Sequence, residues 1–435
     1  MREGSQVRDF VSGYVRRVID RELDELLPDL PAILLDGPKG VGKTETALQR
    51  AGAVYRLDDP AQAAIVAADP AVMLDDTPPV LIDEWQRVPH VWDAVKRRVD
   101  TGLAGGQVLL TGSAVPAGGY ATHSGAGRIT ALRMRPLTLG ERGLAVATVS
   151  LGELLTGELG ALSGSSGLTL QNYTDEVVNS GFPGMRHLPG RALRTQLDGY
   201  VTRVVEHDMT QAGLKVRRTA TVLAWLRAYA AATSTTSSYE KIRDAATTGI
   251  ADKPAKTTTI PYTDVLTALR VLDPVPAWTP SMSRLQRLTS SPKHQLADPA
   301  LAARLLEVDA RALLRGAPGS VALPRDGTLL GALFEALVTL SIRVYAQACE
   351  AEVFHLRVES GRHEVDLIVE GADGRLVAVE VKLSPVVDDD DVRHLQWLRK
   401  RAEDRVADAI VVTTGPKAYR RPDGIGVVPL ALLGV

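Results

Sequence analysis

Two hydrophobic rhythms alternate along the chain. Residues 14–27 place Val15, Val18, Ile19, Leu23 and Leu26 near helical spacing, with Arg16, Arg17, Asp20 and Glu22 around the rest of the wheel. That pattern predicts an amphipathic helix, and Pro28 and Pro31 end it. Apolar runs follow at 32–35, 53–57, 79–84, 107–113 and 129–134, separated by segments of helical spacing at 44–50, 61–68 and 89–99. Continuous apolar strands alternating with helices predict a parallel, doubly wound α/β sheet covered on both faces. Past residue 145 the pattern becomes helical, with an amphipathic stretch at 223–232, and Ser238 in N-cap position before Tyr239. A long apolar helix opens at Gly331, followed by β-rich runs at 352–358, 364–369 and 376–382. The turn Gly371-Ala372-Asp373-Gly374 between the last two is a hairpin signal.

This patterning divides the chain into three expected domains: an α/β core at 1–145, a helical middle at 146–285 and a second α/β domain at 286–435. A length of 435 residues agrees with about three domains. The polar Gly/Ser loop at 160–167 is the expected hinge. With 45% apolar and 23% charged residues each domain can bury a core. A net charge of −2 excludes a generally polycationic surface, so nucleic-acid contact requires a local basic patch. The single cysteine, Cys349, can form neither an internal disulfide nor a zinc cluster, in keeping with a reducing compartment. No uninterrupted apolar stretch reaches the roughly 18 residues of a membrane span, and residues 1–10 lack the apolar core of a signal peptide. A cytoplasmic location without a membrane partner is therefore expected.

The chemistry begins at Gly37-Pro38-Lys39-Gly40-Val41-Gly42-Lys43-Thr44, a G-x-x-x-x-G-K-T phosphate loop between a strand and a helix. Glycines let backbone N–H groups close around phosphates, Lys43 reaches the β- and γ-phosphates, and the Thr44 hydroxyl holds Mg2+. The strand at 79–84 ends in Asp83 and Glu84, where a parallel sheet places ligands. There Asp83 would hold Mg2+ through water, and Glu84 would orient or deprotonate an attacking water. Thr111 and Ser113 end the next strand and either sense the γ-phosphate or cap a turn. Arg128, before the strand at 129–134, either stabilises the transferring phosphoryl group, in its own or a neighbouring subunit, or forms a surface ion pair.

Taken together, residues 16–128 resemble the ATPase core of AAA-type P-loop proteins, with Walker A at 37–44, Walker B at 80–84 and a sensor strand at Leu110-Thr111-Gly112-Ser113. Arg135-Pro136-Leu137-Thr138-Leu139-Gly140-Glu141, Ser180-Gly181-Phe182-Pro183-Gly184 and Leu296-Ala297-Asp298-Pro299 resemble one prokaryotic branch of these proteins, which carries a C-terminal domain of unassigned function. The resemblance implies ATP with Mg2+ as cofactors. It also implies a winged helix-turn-helix at 239–278, with 262–272 in the recognition position and Lys253, Lys256 and Arg270 as phosphate contacts. Such modules also serve as protein-packing elements. Stress, toxin–antitoxin or defence settings are associations of the branch, and a homo-oligomer is a further expected partner.

A second constellation lies in the C-terminal domain. Asp366, then Glu380 and Lys382 two residues apart and hence on one face of a strand, form a D…E-x-K pattern, with Glu335 on the preceding helix. Asp366, Glu380 and Glu335 would supply oxygens for Mg2+, and Lys382 would act on a water beside it. The pattern resembles the restriction-endonuclease-like fold, with His394 or Gln396 completing the site. The competing reading is a solvent face of cross-strand ion pairs. Acids 388–391 are expected to line the N-terminus of the helix at 392–401. The function that follows is Mg2+-dependent ATP binding and hydrolysis controlling a nuclease-like or DNA- or RNA-binding end. The alternatives are a nucleotide-gated regulator that binds without cutting, and an oligomeric scaffold holding ATP structurally.

Overall fold

The computed structural model describes residues 13–112, 126–247, 256–279, 291–321, 323, 327–358, 361–402 and 404–435. Ser113 and Lys253, both singled out above, lie outside the described residues. The chain forms two compact units, Met1–Met134 and Arg135–Val435.

The first unit is built on five parallel strands in the order β2 (Ala53–Arg56), β3 (Val80–Asp83), β4 (Val108–Gly112), β1 (Ala32–Asp36), β5 (Thr130–Arg133). This is the parallel P-loop core that the alternation predicts. β3 and β4 are buried throughout, as continuous apolar runs require, whereas β2 at the edge alternates between covered and exposed positions. Register aligns the carboxyl ends: Asp36 lies level with Gly112 and Arg133, and Asp83 with Thr111. Helices Lys43–Leu48, Pro60–Ala68 and His90–Asp100 connect the strands. Trp85 and Trp92, with ring centroids 4.7 Å apart, fill the core beside Ile82 and Leu110. The first helix is shorter than the periodicity predicts, Ile19–Leu26. The Asp20 carboxylate accepts the Arg17 amide at 2.6 Å, so the chain stays non-helical before that point. Arg50 then ties this helix to the domain through Asp20 at 2.8 Å and Asp24 at 2.6 Å.

The second unit opens with the short strand β6 (Val149–Ser150), paired with Leu433–Gly434, and holds a mixed six-stranded sheet in the order β11 (Tyr419–Arg420), β12 (Gly426–Pro429), β10 (Val406–Thr413), β9 (Leu376–Val381), β8 (His363–Glu370), β7 (Glu352–Val358). β7, β8 and β9 form an antiparallel meander. The helix Asp389–Arg401 crosses to β10, which runs parallel to β9 and to β12, with β11 antiparallel at the edge. That helix opens on a reciprocal cap: Asp388 accepts from the Asp391 amide and Asp391 from the Asp388 amide. The acids at 388–391 therefore start a helix. The apolar helix Leu329–Ala348 is, among the described residues, the one helix long and apolar enough to cross a membrane by length and composition. Of its most apolar window 72% is buried, the position of a core helix.

Two findings depart from the sequence pattern. The Gly/Ser loop at 160–167 is not a free hinge. Ser166 donates its amide to Pro416, Gly164 accepts from Ala418, and Ser165 pairs with Lys417. The middle helices also belong to the same compact unit as the six-stranded sheet. Asp298 is a fastener within that unit. It is fully buried and accepts from the Ser180 hydroxyl at 2.6 Å, the Gly181 amide at 2.7 Å and the Ala300 amide at 2.9 Å, capping the helix Pro299–Leu305.

Replacing Asp298 by Ala leaves a buried amide and hydroxyl without their acceptor. The expected loss is about 3 kcal/mol in the unfolding of the second unit, read as a lower urea midpoint at unchanged slope. Two buried histidines tie the same unit to pH. Burial lowers His294 and His355 to about 4 from 6.5, so at these two groups the unfolded chain binds more protons between those values. Their contribution to stability therefore falls as pH drops from about 6.5 to about 4, by on the order of 3 kcal/mol per histidine, while the raised carboxyls of Glu335 and Glu380 contribute in the opposite sense. His294→Gln should remove one histidine's share, so that the difference between wild type and variant in urea titrations changes with pH across this range.

Candidate functional site

The phosphate loop joins β1 to the helix Lys43–Leu48, and its glycines are sterically required. A Cβ on Gly37 would come 2.3 Å from the Met134 carbonyl oxygen, and Gly42 has φ of 102°. The middle of the loop is fixed from behind, where the buried Arg17 donates to the Val41 carbonyl at 3.1 Å. Lys43 is buried, and its ammonium donates to the carbonyls of Gly37 (2.7 Å) and Pro38 (2.9 Å). Burial lowers the Lys43 pKa to about 8, against the opposing pull of Glu84 and Asp36, and Arg133 adds to the lowering.

At the tips of the neighbouring strands the hydroxyls of Thr44 (2.9 Å) and Thr111 donate to the same Asp83 oxygen, Oδ1. Thr44, Asp83 and Thr111 thus converge beside Lys43. A hydroxyl and a carboxylate oxygen at this spot are the hard donors Mg2+ takes, so these residues fit the ion. Glu84 follows in a left-handed conformation, φ 55° and ψ 42°, and accepts from the Gln86 side chain. Gly112 makes room for this turn, since a Cβ there would fall 2.3 Å from Gln86 Oε1.

Arg128 lies elsewhere. It donates to Asp100 at 2.8 Å with both side chains largely exposed, a surface ion pair. The arginine at the strand tips is instead Arg133, mostly buried, with Nη1 3.5 Å from Asp36 Oδ2. Its position as the last residue of a strand, beside the residue that precedes the loop, was the available signal.

In the second unit Glu335, Asp366, Glu380 and Lys382 do come together, around a residue the pattern did not single out. Lys293 is 1% exposed, and its ammonium lies 2.8 Å from Glu335 Oε1 and 2.9 Å from Asp366 Oδ1, with Glu364 at 3.9 Å. Asp366 Oδ2 accepts the Val381 amide at 2.9 Å. Glu380 pairs through Oε1 with Lys382 at 3.2 Å, and Lys382 also faces Asp391 at 3.6 Å. Burial alone would lower the Lys293 pKa, but Asp366, Glu335 and Glu364 outweigh it and raise it above the usual lysine range. Burial and Asp366 push Glu335 up to about 8 and hold Glu380 well above the carboxylate range.

Mg2+ does not fit here beside that ammonium. Among the described residues no group of three or more His, Cys, Asp or Glu is disposed to hold a metal ion. The proposed completing residues are engaged otherwise: Gln396 donates to Asp423 at 3.0 Å, and His394 lies against His363, which stacks on Trp397 at 4.1 Å. In the stretch expected to read DNA, Leu266, Leu269 and Leu272 are buried, and Leu272 and Val275 form β-bridges with Leu296 and Lys293.

The Thr111 hydroxyl donates to the Asp83 carboxylate, and if that carboxylate holds Mg2+ the bond can be tested. Thr111→Val should weaken Mg2+-nucleotide binding about tenfold through the freed Asp83 oxygen and leave metal-free nucleotide binding unchanged. Fluorescent-nucleotide titrations with Mg2+ and with EDTA check this.

Comparison with known proteins divides the chain in three. Residues 29–142 match the family described as AAA domain. Residues 170–312 match a domain of unknown function, DUF8612, and residues 330–433 another, DUF4143. Two uncharacterized proteins, one of Mycobacterium bovis and one of Mycobacterium tuberculosis, are each 27% identical to this chain over 374 residues, covering 84% of it and 74% of their own length. Among solved structures, the Walker-type ATPase of Pyrococcus abyssi is similar at 15% identity, with a TM-score of 0.39, over 66% of this chain and 94% of that one. The AAA-domain match, on a parallel sheet carrying the phosphate loop, supports nucleotide binding by the first unit.

Proposed function

We propose that the chain is a Mg2+-dependent ATP-binding and ATP-hydrolysing protein whose nucleotide state controls what its second unit binds. The observation that carries the reading is the convergence of Lys43, Thr44, Asp83 and Thr111 at the aligned strand tips, with Glu84 held on its own turn. Lys43 donates to two neutral carbonyls, weak partners for a buried cation, and an incoming phosphate oxygen would replace them. Thr44 and Asp83 would hold Mg2+, which when bound neutralises phosphate charge. Glu84 would orient the attacking water, and the Gln86 amide fixes its carboxylate for that task. Arg133, one strand over, is the cation near enough to Lys43 to feel its charge and so to favour the triphosphate.

For the second unit, the antiparallel meander followed by a crossover helix and a parallel strand resembles the restriction-endonuclease-like fold, and nucleic acid is its proposed partner. A reading without cleavage is favoured by one observation, the Lys293 ammonium on two of the acids a nuclease would give to metal.

The test is ATP turnover on wild type, Lys43→Ala and Glu84→Gln, with and without DNA. Hydrolysis should be lost in both variants, nucleotide binding should be lost only in Lys43→Ala, and DNA should change the wild-type rate. Wild-type turnover at background, unchanged by Glu84→Gln, would instead support a structural nucleotide.

A further inference from the structure

Lys293 is held rigidly. Its amide and carbonyl both pair with Val275 at 2.9 Å, and the next residue, His294, donates its amide to Thr235 and accepts from Ser234. The side chain runs inward from this anchored segment to Glu335 and Asp366, which come from a different helix and a different strand. The other cations nearby are already committed: Lys382 to Glu380 and Asp391, and Arg357 to Glu364 at 3.2 Å.

We propose that the Lys293 ammonium is the resident cation of the Glu335–Asp366 cluster, that the native second unit consequently takes up no divalent ion there, and that a divalent-cation site arises only when this side chain is removed. A divalent ion bridging Oε1 and Oδ1, at about 2.1 Å for Mg2+, would stand where Nζ stands. The ammonium already stands 2.8 and 2.9 Å from them, so both cations cannot occupy the gap. Truncating the ammonium would leave these oxygens uncompensated and free to close on an ion. Glu380 is 7% exposed, and its Oε2 is buried without a hydrogen-bond partner. With Lys293 truncated, Glu335 and Asp366 would lose the cation they share, with Glu380 charge-coupled to Asp366, and their carboxylates are the hard donors that Mg2+ and Mn2+ prefer. The inference is independent of turnover at the phosphate loop.

Mn2+ binding to the full chain without nucleotide, followed by electron paramagnetic resonance of the free ion, tests this on wild type, Asp366→Asn, Lys293→Ser and the double variant. Wild type and Asp366→Asn should bind alike, since any Mn2+ at Thr44 and Asp83 is common to both. Lys293→Ser should gain about one Mn2+ per chain, lost again in the double variant. A wild-type Mn2+ that disappears in Asp366→Asn overturns the inference. So does a Lys293→Ser chain, folded by circular dichroism, that gains none. If Lys293→Ser does not fold, the comparison of wild type with Asp366→Asn decides alone: equal binding upholds the exclusion of metal, and a loss refutes it.

Discussion

An ammonium taken out of water must be met by something negative, and this chain solves that requirement twice in opposite ways. Lys43 donates to two backbone carbonyls, which carry dipoles but no charge, and burial outweighs the more distant pull of Glu84 and Asp36 to bring its pKa down to about 8. Lys293 is met by two carboxylates, with a third nearby, and its affinity for the proton rises. The first arrangement leaves a buried cation under-compensated, which makes the loop an anion receptor. The second leaves nothing to compensate. Identical side chains therefore sit in opposite charge environments, one that favours an incoming anion and one whose charge is already matched.

The receptor depends on backbone alignment more than on side-chain packing. Parallel register brings Asp36, Asp83, Thr111 and Arg133 to one level, so residues scattered over about a hundred positions of sequence share one edge of a sheet. Steric openings then set the fine geometry. Gly37 lets Met134 close against the loop, and Gly112 lets Gln86 reach Glu84. A similar economy holds the second unit together. The segments at 136–142, 180–184 and 296–299 meet where Asp298 grips Ser180 and Gly181, while Gly181 accepts from the Leu137 amide. Arg142, buried beneath them, is balanced by Glu176 at 2.7 Å.

These contrasts explain what the sequence made legible. Strand and helix positions in the first unit follow from apolar runs and spacing, because burial on both faces leaves a one-dimensional trace. Thr44 and Asp83 could be paired in advance because a phosphate loop and a following apolar strand ending in acid constrain each other. Lys293 left no such trace. It sits 42 residues from Glu335 and 73 from Asp366, in a Ser-Pro-Lys run whose local signal is a turn. Long-range charge compensation has no period. Composition misled at 160–167, where Gly and Ser suggested a hinge, because backbone pairing with 416–418 does not depend on side chains. At Arg128 both roles were open, and its observed partner, Asp100, lies on the surface.

The D…E-x-K pattern shows why spacing alone underdetermines chemistry. Spacing places carboxylates together, and the structure does bring Glu335 and Glu380 each within electrostatic reach of Asp366. Clustered acids raise one another's pKa and must be relieved by a proton, a metal or a cationic side chain. Metal is the relief that catalysis uses, because it can exchange ligands and bring water to the reaction. A lysine on an anchored β-bridge offers neither property. It removes the repulsion and fixes the helix Leu329–Ala348 to β8 through charge. On the reading proposed above, the same acids that would define a reactive centre act as cross-links between elements, and the identity of the enclosed cation separates the two outcomes.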